Sequence, residues 1–302
     1  MRDSPQVKWR TLEASGADGD CAFVASVDVE EHFHAAALAP AVPRDLWPSQ
    51  PSRVVANTQR TLDVFAQSSA KGTFFVLGSV AQRYPSLVRE IAEAGHEIAS
   101  HGHDHHRVGE LGPAAYRADI ERSKSALEQA AGVAVRGYRA PNFSIDARTW
   151  WAYVALAEAG YSYSSSVYPI RHDHYGMPGA PRAPFLTDSG VVEFPVTTFR
   201  TLGQHIPAGG GGYFRLAPYW WSEWVIAEAR RQLPLVINYF HPWELDPQQP
   251  RHNLPSFARF RHYVNLSRME GKLRRLLGSR SWRRFDQTLG AFRLPPATGE
   301  SG

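Results

Sequence analysis

The segment from His101 to His106 places four of the chain's thirteen histidines within six positions. Imidazole nitrogen is among the commonest protein ligands of zinc and related metals. His101 and His105 are separated by three residues, and this spacing aims both side chains at one point on a helical turn or in a tight loop. The pair therefore predicts part of a metal site that still needs a carboxylate.

The sequence SVDVEEHF supplies carboxylates from another part of the chain. Asp28 and Glu30 are two positions apart on a predicted strand, so their side chains point to the same side of it. One carboxylate can then bind the metal while the other stays free. Two neutral imidazoles and one carboxylate leave an open position for water on Zn²⁺, as in hydrolytic zinc sites. Glu31, His32 and His34 are the alternative ligands if the register differs by one residue.

The composition narrows the type of metal site. With 43% hydrophobic and 21% charged residues, the chain has the composition of a soluble globular protein. Its single cysteine, Cys21, excludes an intrachain disulfide and a cysteine-based zinc cluster. Any metal is therefore expected to be held by histidine and carboxylate side chains. The first twenty residues are polar and no run approaches ~18 apolar residues, so we expect a cytoplasmic protein.

Short β-rich runs alternate with segments of helical spacing. The seven runs are 22–29, 72–78, 96–100, 136–141, 161–166, 191–199 and 233–240. The helical segments include 80–94, 114–131 and 147–159. This alternation predicts an α/β fold with parallel strands and outer helices, and about seven strands favour a closed or nearly closed barrel over an open sheet. Four glycines at 209–212 allow a tight turn or a close backbone approach.

The polar residues with useful chemistry fall at the carboxyl ends of the predicted strands. This rim is where α/β barrels assemble their active sites. The residues are Asp28, Glu30, His101, His105, Arg139 and His241. Their shared position at the strand ends predicts that the fold brings them together.

We expect three parts in the chain: a disordered N terminus at 1–20, a barrel at 21–250, and a C-terminal part at 251–302. Apolar residues at helical intervals predict one amphipathic helix over 256–277, packed on the barrel and followed by a flexible tail. Between positions 251 and 284 the chain has ten basic residues against one acidic residue. This charge indicates either a solvated helix face or a peripheral contact with an anionic membrane or lipid-linked sugar. We expect no nucleic-acid partner.

Five segments, taken in order, resemble the polysaccharide deacetylase family, the NodB-homology domains of carbohydrate esterase family 4. They are SVDVEE, GTFFVLG, HEIASHGHDHH, GYRAPNFSI and INYFHPWELDP. The segments GGGYFR and RFRHYVNLSRMEGKLRRLL resemble its exosortase-associated (PEP-CTERM-locus) exopolysaccharide deacetylase subgroup. The resemblance extends from about Phe23 to Leu277. It implies a distorted, TIM-like (β/α)7-type barrel with a C-terminal helical extension, in agreement with the number of runs.

The resemblance also implies a role for individual residues. Asp28 corresponds to the catalytic base, Arg139 to the arginine that contacts it, and His241 to the general acid. The implied metal ligands, for Zn or another ion such as Co, are Glu30, His101 and His105. The candidate substrate-binding residues are Asn142, whose backbone N–H would help to hold the oxyanion, Tyr213 and Trp243.

The implied function is a metal-dependent N-deacetylase acting on N-acetylhexosamine units of an exopolysaccharide or its precursor. The alternatives are a hydrolase of a small cyclic amide or ureide on the same scaffold, and a non-catalytic carbohydrate-binding protein. Two positions depart from the family pattern. Glu30 stands where the family usually has Asp, and Ser164 where relatives often carry an Asp that orients the site. Asp173, Glu193 and Asp246 are the candidates to replace that Asp.

Overall fold

The computed structural model describes residues 7–15, 21–171 and 176–295. Within these ranges the strands are β1 (Trp9–Thr11), β2 (Glu13–Ala14), β3 (Ala22–Val29), β4 (Thr73–Val76), β5 (Glu97–Ser100), β6 (Gly137–Tyr138), β7 (Tyr163–Ser164), β8 (Phe185–Thr187), β9 (Val192–Glu193), β10 (Thr198–Thr201), β11 (Gln204–Pro207), β12 (Leu235–Phe240) and β13 (Phe292–Arg293). The α-helices of the same ranges are α1 (Val54–Gln67), α2 (Gly78–Arg83), α3 (Pro85–Glu93), α4 (Pro113–Ala131), α5 (Ala152–Glu158), α6 (Gly211–Leu216), α7 (Tyr219–Gln232), α8 (Ser256–Tyr263), α9 (Leu266–Gly278) and α10 (Phe285–Thr288).

Nine of these strands form one curled sheet in the order β1-β8-β9-β7-β6-β5-β4-β3-β12. From β9 to β12 in this order, all neighbouring strands run parallel. At the other edge β8 and β1 pair antiparallel. Each of the seven sequence runs contributes one of the parallel strands. The predicted α/β fold is therefore confirmed, as a half-barrel whose edge strands β1 and β12 do not pair with each other in the described ranges.

The run of four glycines lies beside strand β12. The N–H of Tyr239 donates to the carbonyl oxygen of Gly209 at 2.6 Å. Gly210 has a φ of +112°, and a Cβ at this position would lie 2.2 Å from the carbonyl oxygen of Tyr239. Glycine is therefore required here because the two backbones approach closely, as the sequence predicts.

The helices differ from the predicted segments in two respects. The segment at 80–94 forms two helices, α2 and α3, because Tyr84 leaves the helical conformation and Pro85 begins the second helix. Helix α1 is absent from the predicted segments, although Val54, Leu62 and Phe65 give it one buried face. This helix matters for the site because the loop that leads into it contacts Glu31.

The N-terminal residues differ from the predicted disordered segment. Residues 7–15 contain β1 and β2, and the ring of Trp9 packs 5.8 Å from the rings of Trp150 and Phe185. Burial of a large aromatic ring by the barrel explains why this polar stretch takes up a fixed position. The remainder of the predicted disordered segment, 1–6 and 16–20, lies outside the described residues.

The C-terminal part packs on the barrel, but the single predicted helix at 256–277 is wrong. Asn265 has a φ of +56° and separates α8 from α9. Beyond α9 the chain turns back under the barrel, where the N–H of Arg283 donates to the carbonyl oxygen of Phe23. Phe285 is fully buried against Phe75 and Tyr163 at the end of the barrel opposite the site. The predicted flexible tail is therefore also wrong up to residue 295, and 296–302 lie outside the described residues.

Candidate active site

Asp28 lies at the carboxyl end of β3, and Arg139 follows β6 and points at it. Arg139 Nη1 donates to Asp28 Oδ1 at 2.7 Å and to Ser26 Oγ at 3.0 Å. The other guanidinium nitrogens donate to the carbonyl and hydroxyl oxygens of Ser165, at 3.1 and 3.0 Å. Arg139 is completely buried and Asp28 is almost so. The pair therefore holds one oxygen of Asp28 in place and leaves Oδ2 on the side of His241, whose Nε2 atom lies 3.9 Å away.

Glu30 meets two histidines of the 101–106 segment directly beside Asp28. Its Oε2 atom lies 2.6 Å from His105 Nε2 and 3.6 Å from His101 Nε2. Its other oxygen, Oε1, accepts a hydrogen bond from Trp243 Nε1 at 3.2 Å. Burial alone would raise the pKa of Glu30, but His105 and His101 outweigh it and hold that pKa well below its ordinary value. Glu30 is therefore a carboxylate anion between two imidazoles.

The loop that carries the two histidines is fixed from several sides. His101 Nδ1 donates to the carbonyl oxygen of Arg139 at 2.9 Å, and this bond turns Nε2 toward Glu30. Arg44 Nη2 donates to the carbonyl oxygen of His105 at 2.9 Å. From α4, Asp119 accepts the backbone N–H of His103 at 2.8 Å. The ligand-bearing loop is thus positioned before any metal binds.

His34 is a fourth side chain at this cluster. Its ligand atom and those of Glu30 and His105 lie within 4.8 Å of one another, and its ring stacks on that of His105 at 4.9 Å. However, His34 Nδ1 accepts the N–H of Glu31 at 3.3 Å, so in the neutral ring the proton is on Nε2. A ring in this state has no free lone pair for a metal. The structure therefore favours His101 and His105 as the nitrogen ligands.

Glu31, the alternative carboxylate, has a different role. Its Oε1 accepts from Ser52 Oγ at 2.5 Å, and its carboxylate accepts the N–H groups of Arg53 and Val54 at 3.0 to 3.3 Å. These are unpaired donors at the start of α1, where a negative charge is favourable. Glu31 therefore caps α1, and of the two glutamates Glu30 is the one that faces the histidines.

The donor set fits a divalent metal. His101 Nδ1 gives its proton to a carbonyl, so its Nε2 lone pair is available, as is usual for a metal-binding histidine. Glu30 is anionic, and burial lowers the pKa of His105, so its ring also tends to be neutral. One carboxylate and two imidazoles in a single buried cluster form the type of ligand set that hydrolytic zinc sites use.

His241 closes the other side of the cluster at the end of β12. Its Nε2 atom lies 3.9 Å from Asp28 Oδ2 and 3.8 Å from Glu30 Oε1. Its Nδ1 atom donates to Glu244 Oε1 at 2.9 Å. Burial would lower the pKa of His241, but the bond to Glu244 and the charges of Glu30, Glu244 and Asp28 raise it to about 9. Near neutral pH the imidazole therefore carries a proton at Nε2 that faces the two carboxylates.

Comparison with known proteins bears directly on this cluster. Residues 46–163 match the family model described as Polysaccharide deacetylase, and residues 165–290 match a Domain of unknown function (DUF3473). Over 84 residues the chain is 34% identical to a peptidoglycan-N-acetylglucosamine deacetylase of Bacillus cereus. Over 112 residues it is 35% identical to a chitooligosaccharide deacetylase of Sinorhizobium fredii. Residues 46–163 are therefore similar to polysaccharide deacetylases.

The similarity to these two relatives covers only part of each chain. The matched segments cover 28% and 35% of this chain, and 30% and 50% of the two relatives. A solved structure of a Mycobacterium smegmatis protein described as a polysaccharide deacetylase covers 93% of both chains at a TM-score of 0.60 and 21% identity. That likeness confirms the deacetylase barrel fold. The deacetylase family model includes His101, His105 and Arg139, whereas His241 lies in the segment of unknown function.

Of the acidic residues expected to replace an Asp at the position of Ser164, none in the described ranges contacts His241. Glu193 is buried with Tyr153, at 2.8 Å, and Asp246 pairs with Arg53, so neither contacts His241. Asp173 lies outside the described residues. Glu244, which sequence reasoning missed, holds His241 instead. Glu244 could have been found from its position three residues after His241 in HPWE, because this is the spacing of a capping box. In the structure the box forms at a short 3-10 turn.

The predicted substrate-binding residues lie in three different settings. Asn142 follows Arg139 at the rim with a φ of +54°, in a half-buried turn. Tyr213 is 40% exposed on α6 and lines a separate cavity beside α7. Trp243 is 5% exposed, and its ring stacks on His241 at 5.1 Å. Trp243 is therefore too buried to stack on a sugar, and it contacts Glu30 and His241 instead.

Proposed function

We propose that this protein removes N-acetyl groups from N-acetylhexosamine units of an exopolysaccharide or its precursor, releasing acetate, with Zn²⁺ as the bound metal. The named relatives are a peptidoglycan-N-acetylglucosamine deacetylase and a chitooligosaccharide deacetylase. Both names describe removal of an acetyl group from an amino sugar. The site supports the same reaction class here, because it places a base, a proton donor and a metal-ligand set in one cluster.

A single observation carries the proposal. His241 Nε2 lies 3.9 Å from Asp28 Oδ2 and 3.8 Å from Glu30 Oε1, so the proposed base and the proposed proton donor face each other beside a carboxylate that would hold the metal. Amide hydrolysis needs both, since water must lose a proton and the departing amine must gain one. The arrangement therefore suits an amide better than an ester, whose leaving group departs more easily.

Different residues of the site carry out different steps of the proposed reaction. Glu30, His101 and His105 would hold the metal, which when bound supplies a Lewis acid beside the acetyl carbonyl. Asp28 takes a proton from the attacking water through Oδ2, because Arg139 occupies Oδ1. The water oxygen bonds to the carbonyl carbon and the C–N bond breaks. The products are acetate and the free amine.

His241 completes the cycle as the general acid. Its raised pKa keeps Nε2 protonated near neutral pH, and Glu244 fixes the ring through Nδ1. The proton passes from Nε2 to the amine nitrogen as the C–N bond breaks. Without this proton an amide anion would have to leave, which is unfavourable.

A cavity of about 510 Å³ lies between the loop that follows His106 and the loop that follows Asn142. Its lining includes Arg107, Asp146 and Arg148, and none of the proposed catalytic or metal-binding residues. Charged and polar side chains of this kind match the hydroxyl groups of a saccharide, so the cavity would suit a sugar unit next to the reacting one.

Acetate release from N-acetylated chitooligosaccharides tests the proposal. We expect acetate from zinc-loaded protein, none after treatment with a chelator, and recovery when Zn²⁺ is added back. Asp28→Asn should retain metal but lose activity. Absence of acetate with loaded protein, or full activity of Asp28→Asn, would contradict the proposal. Ring opening of a cyclic ureide without acetate release would support the second candidate, and saccharide binding without turnover would support a non-catalytic protein.

Two further sequence predictions concern where the protein acts. None of the helices in the described ranges combines the length and apolar character needed to cross a bilayer. Peripheral contact of the basic C-terminal part with an anionic membrane or lipid-linked sugar stays a prediction, as does the cytoplasmic location. Some of the basic side chains are engaged within the protein: Arg274 pairs with Glu270, and Arg280 with Glu223. The exposed members, such as Arg259 and Arg268, remain available to an anionic surface.

A further inference from the structure

A buried ion pair lies directly behind the proton donor. Arg215 Nε on α6 donates to Glu244 Oε2 at 3.0 Å, and Arg215 is 2% exposed. The other oxygen of the same carboxylate, Oε1, accepts Nδ1–H of His241 at 2.9 Å and its backbone N–H at 3.2 Å. One carboxylate thus joins the guanidinium to the imidazole. Arg215 lies in the segment GGGYFR and Glu244 in INYFHPWELDP, but the family resemblance assigns a role to neither residue.

The remaining donors of Arg215 bind the end of the C-terminal helix α8. Nη2 donates to the carbonyl oxygen of Arg261 at 3.0 Å, and Nη1 donates to those of His262 and Val264. Carbonyl groups at the end of a helix lack partners within the helix and carry partial negative charge. A single buried guanidinium therefore satisfies the end of α8 and the carboxylate beneath His241 together.

Helix α9 fixes the other end of this connection. Lys272 Nζ donates to the carbonyl oxygens of Phe214 and Arg215, at 2.8 and 3.1 Å, and Asn265 Nδ2 donates to that of Arg215 at 3.2 Å. These bonds hold the short helix α6 at the residue whose side chain enters the core. The orientation of Arg215 is thus determined by the C-terminal helices.

We propose that Arg215 is a positioning residue for His241, through which the C-terminal helices α8 and α9 hold the proton donor against Asp28. This inference rests on the proposed function, and it gives the segment of unknown function at 165–290 a specific task. That segment contributes His241, Glu244, Arg215 and the α8 carbonyl groups. The deacetylase family model contributes His101, His105 and Arg139.

The physical reason is the geometry of a buried carboxylate. Without the guanidinium, Glu244 Oε2 has no charged partner in a fully buried position, and the carboxylate must rotate toward water or other donors. His241 then loses the acceptor that fixes its ring. Its Nε2 atom no longer points at the space beside Asp28. Proton delivery suffers, while metal and sugar binding do not depend on this bond.

The test compares Arg215→Met with Arg53→Met as the matched control. Arg53 pairs with Asp246, two residues beyond Glu244, but has no contact with His241. For Arg215→Met we expect kcat of acetate release to fall by about 10²-fold, with KM and zinc content within about twofold of the native protein. Arg53→Met should keep kcat within about twofold. Methylguanidinium added to Arg215→Ala should restore part of kcat, which a merely misfolded site would not allow.

A second readout needs no substrate. The Nδ1–H proton of His241 gives an NMR signal that can be assigned by its absence in His241→Gln. We expect Arg215→Met to lose this signal and Arg53→Met to keep it. If the native protein released no acetate but this pattern held, the proposed function would fall and the positioning role would stand. If Arg215→Met kept both native kcat and the signal, the positioning role would be overturned.

Arg215→Lys decides the matter if Arg215→Met does not fold. Lysine keeps the charge but cannot reach Glu244 and three carbonyl groups at once. A reduction of about tenfold in kcat with a weakened His241 signal would support the proposal. Native kcat and an unchanged signal in Arg215→Lys would contradict it.

Discussion

The carbonyl oxygen of Arg139 accepts a hydrogen bond from Nδ1 of His101 at 2.9 Å, while the guanidinium of the same residue binds Asp28. One residue therefore orients a candidate metal ligand through its backbone and the proposed base through its side chain. The two functions separate on mutation, because a side-chain substitution leaves the carbonyl in place.

Arg139→Met should lose deacetylase activity and keep its metal. The substitution leaves Asp28 buried without its cationic partner, so we also expect the free energy of unfolding to fall by about 3–5 kcal/mol. Metal content, acetate release and urea denaturation measure the three quantities. Combining the substitution with Asp28→Asn should recover part of the stability. Loss of metal together with activity would show that the side chain, and not the carbonyl, supports His101.

Glu244→Gln should shift the pH dependence of activity. The pKa of His241 is raised to about 9, so its proton is present at neutral pH and is lost as the pH rises through about 9. Because the folded protein binds this proton more tightly than the unfolded chain, the raised pKa of His241 also contributes to the free energy of unfolding. This contribution is fully present below pH 6.5, the ordinary pKa of histidine, and is lost as the pH rises through about 9. Replacing the Glu244 carboxylate by an amide lowers the pKa of His241. The alkaline limb of the kcat/KM profile should therefore move to lower pH. Asp246→Asn, which does not touch His241, should leave the limb unmoved; an equal shift in both variants would refute the assignment.

His34→Gln should retain zinc with an affinity within about tenfold of native, as expected for a residue beside the ligands. His101→Gln and His105→Gln should each weaken binding by more than about 100-fold. Calorimetric titration with Zn²⁺ measures all three. Equal losses in the three variants would make His34 a ligand, contrary to the tautomer that its bond from Glu31 implies.

Substitutions of the adjacent Glu30 and Glu31 should affect different properties, metal binding for the first and stability for the second. Glu30→Gln is expected to lose zinc. Glu31→Ala is expected to retain zinc but to lower the free energy of unfolding by about 1–2 kcal/mol, because the first turn of α1 loses its cap. Zinc content and thermal denaturation of the two variants check this pair of outcomes. A Glu31→Ala protein without zinc would reverse the assignment.

The strand ends were predictable from sequence because hydrophobic runs of strand length alternate with helical segments and each run ends in a polar side chain. Asp28 and Glu30 follow from period-two alternation, and His101 and His105 from their spacing. This alternation favours Glu30 over Glu31, but the role of Glu31 was not predictable. It depends on the start of α1, more than twenty positions away, which uses Glu31 as its cap.

The residues that position the proton donor His241 were predictable only in part. Glu244 follows His241 at a capping spacing, and this local signal was available in the sequence. Arg215 has no comparable signal, because its partners lie at Glu244 and at the carbonyl groups of 261–264, and backbone acceptors leave no trace in side-chain patterns. The fixed position of Phe285 under the barrel likewise depends on tertiary packing, which overrides the polar character of the surrounding tail.

The account rests on a divalent cation held by Glu30, His101 and His105 beside Asp28. Anomalous X-ray scattering from crystals of zinc-loaded protein, collected at the zinc absorption edge, locates the ion without reference to activity. The account predicts one strong peak about 2.0–2.2 Å from a Glu30 oxygen and from Nε2 of both histidines. A peak elsewhere, or no peak in fully loaded protein, would contradict it.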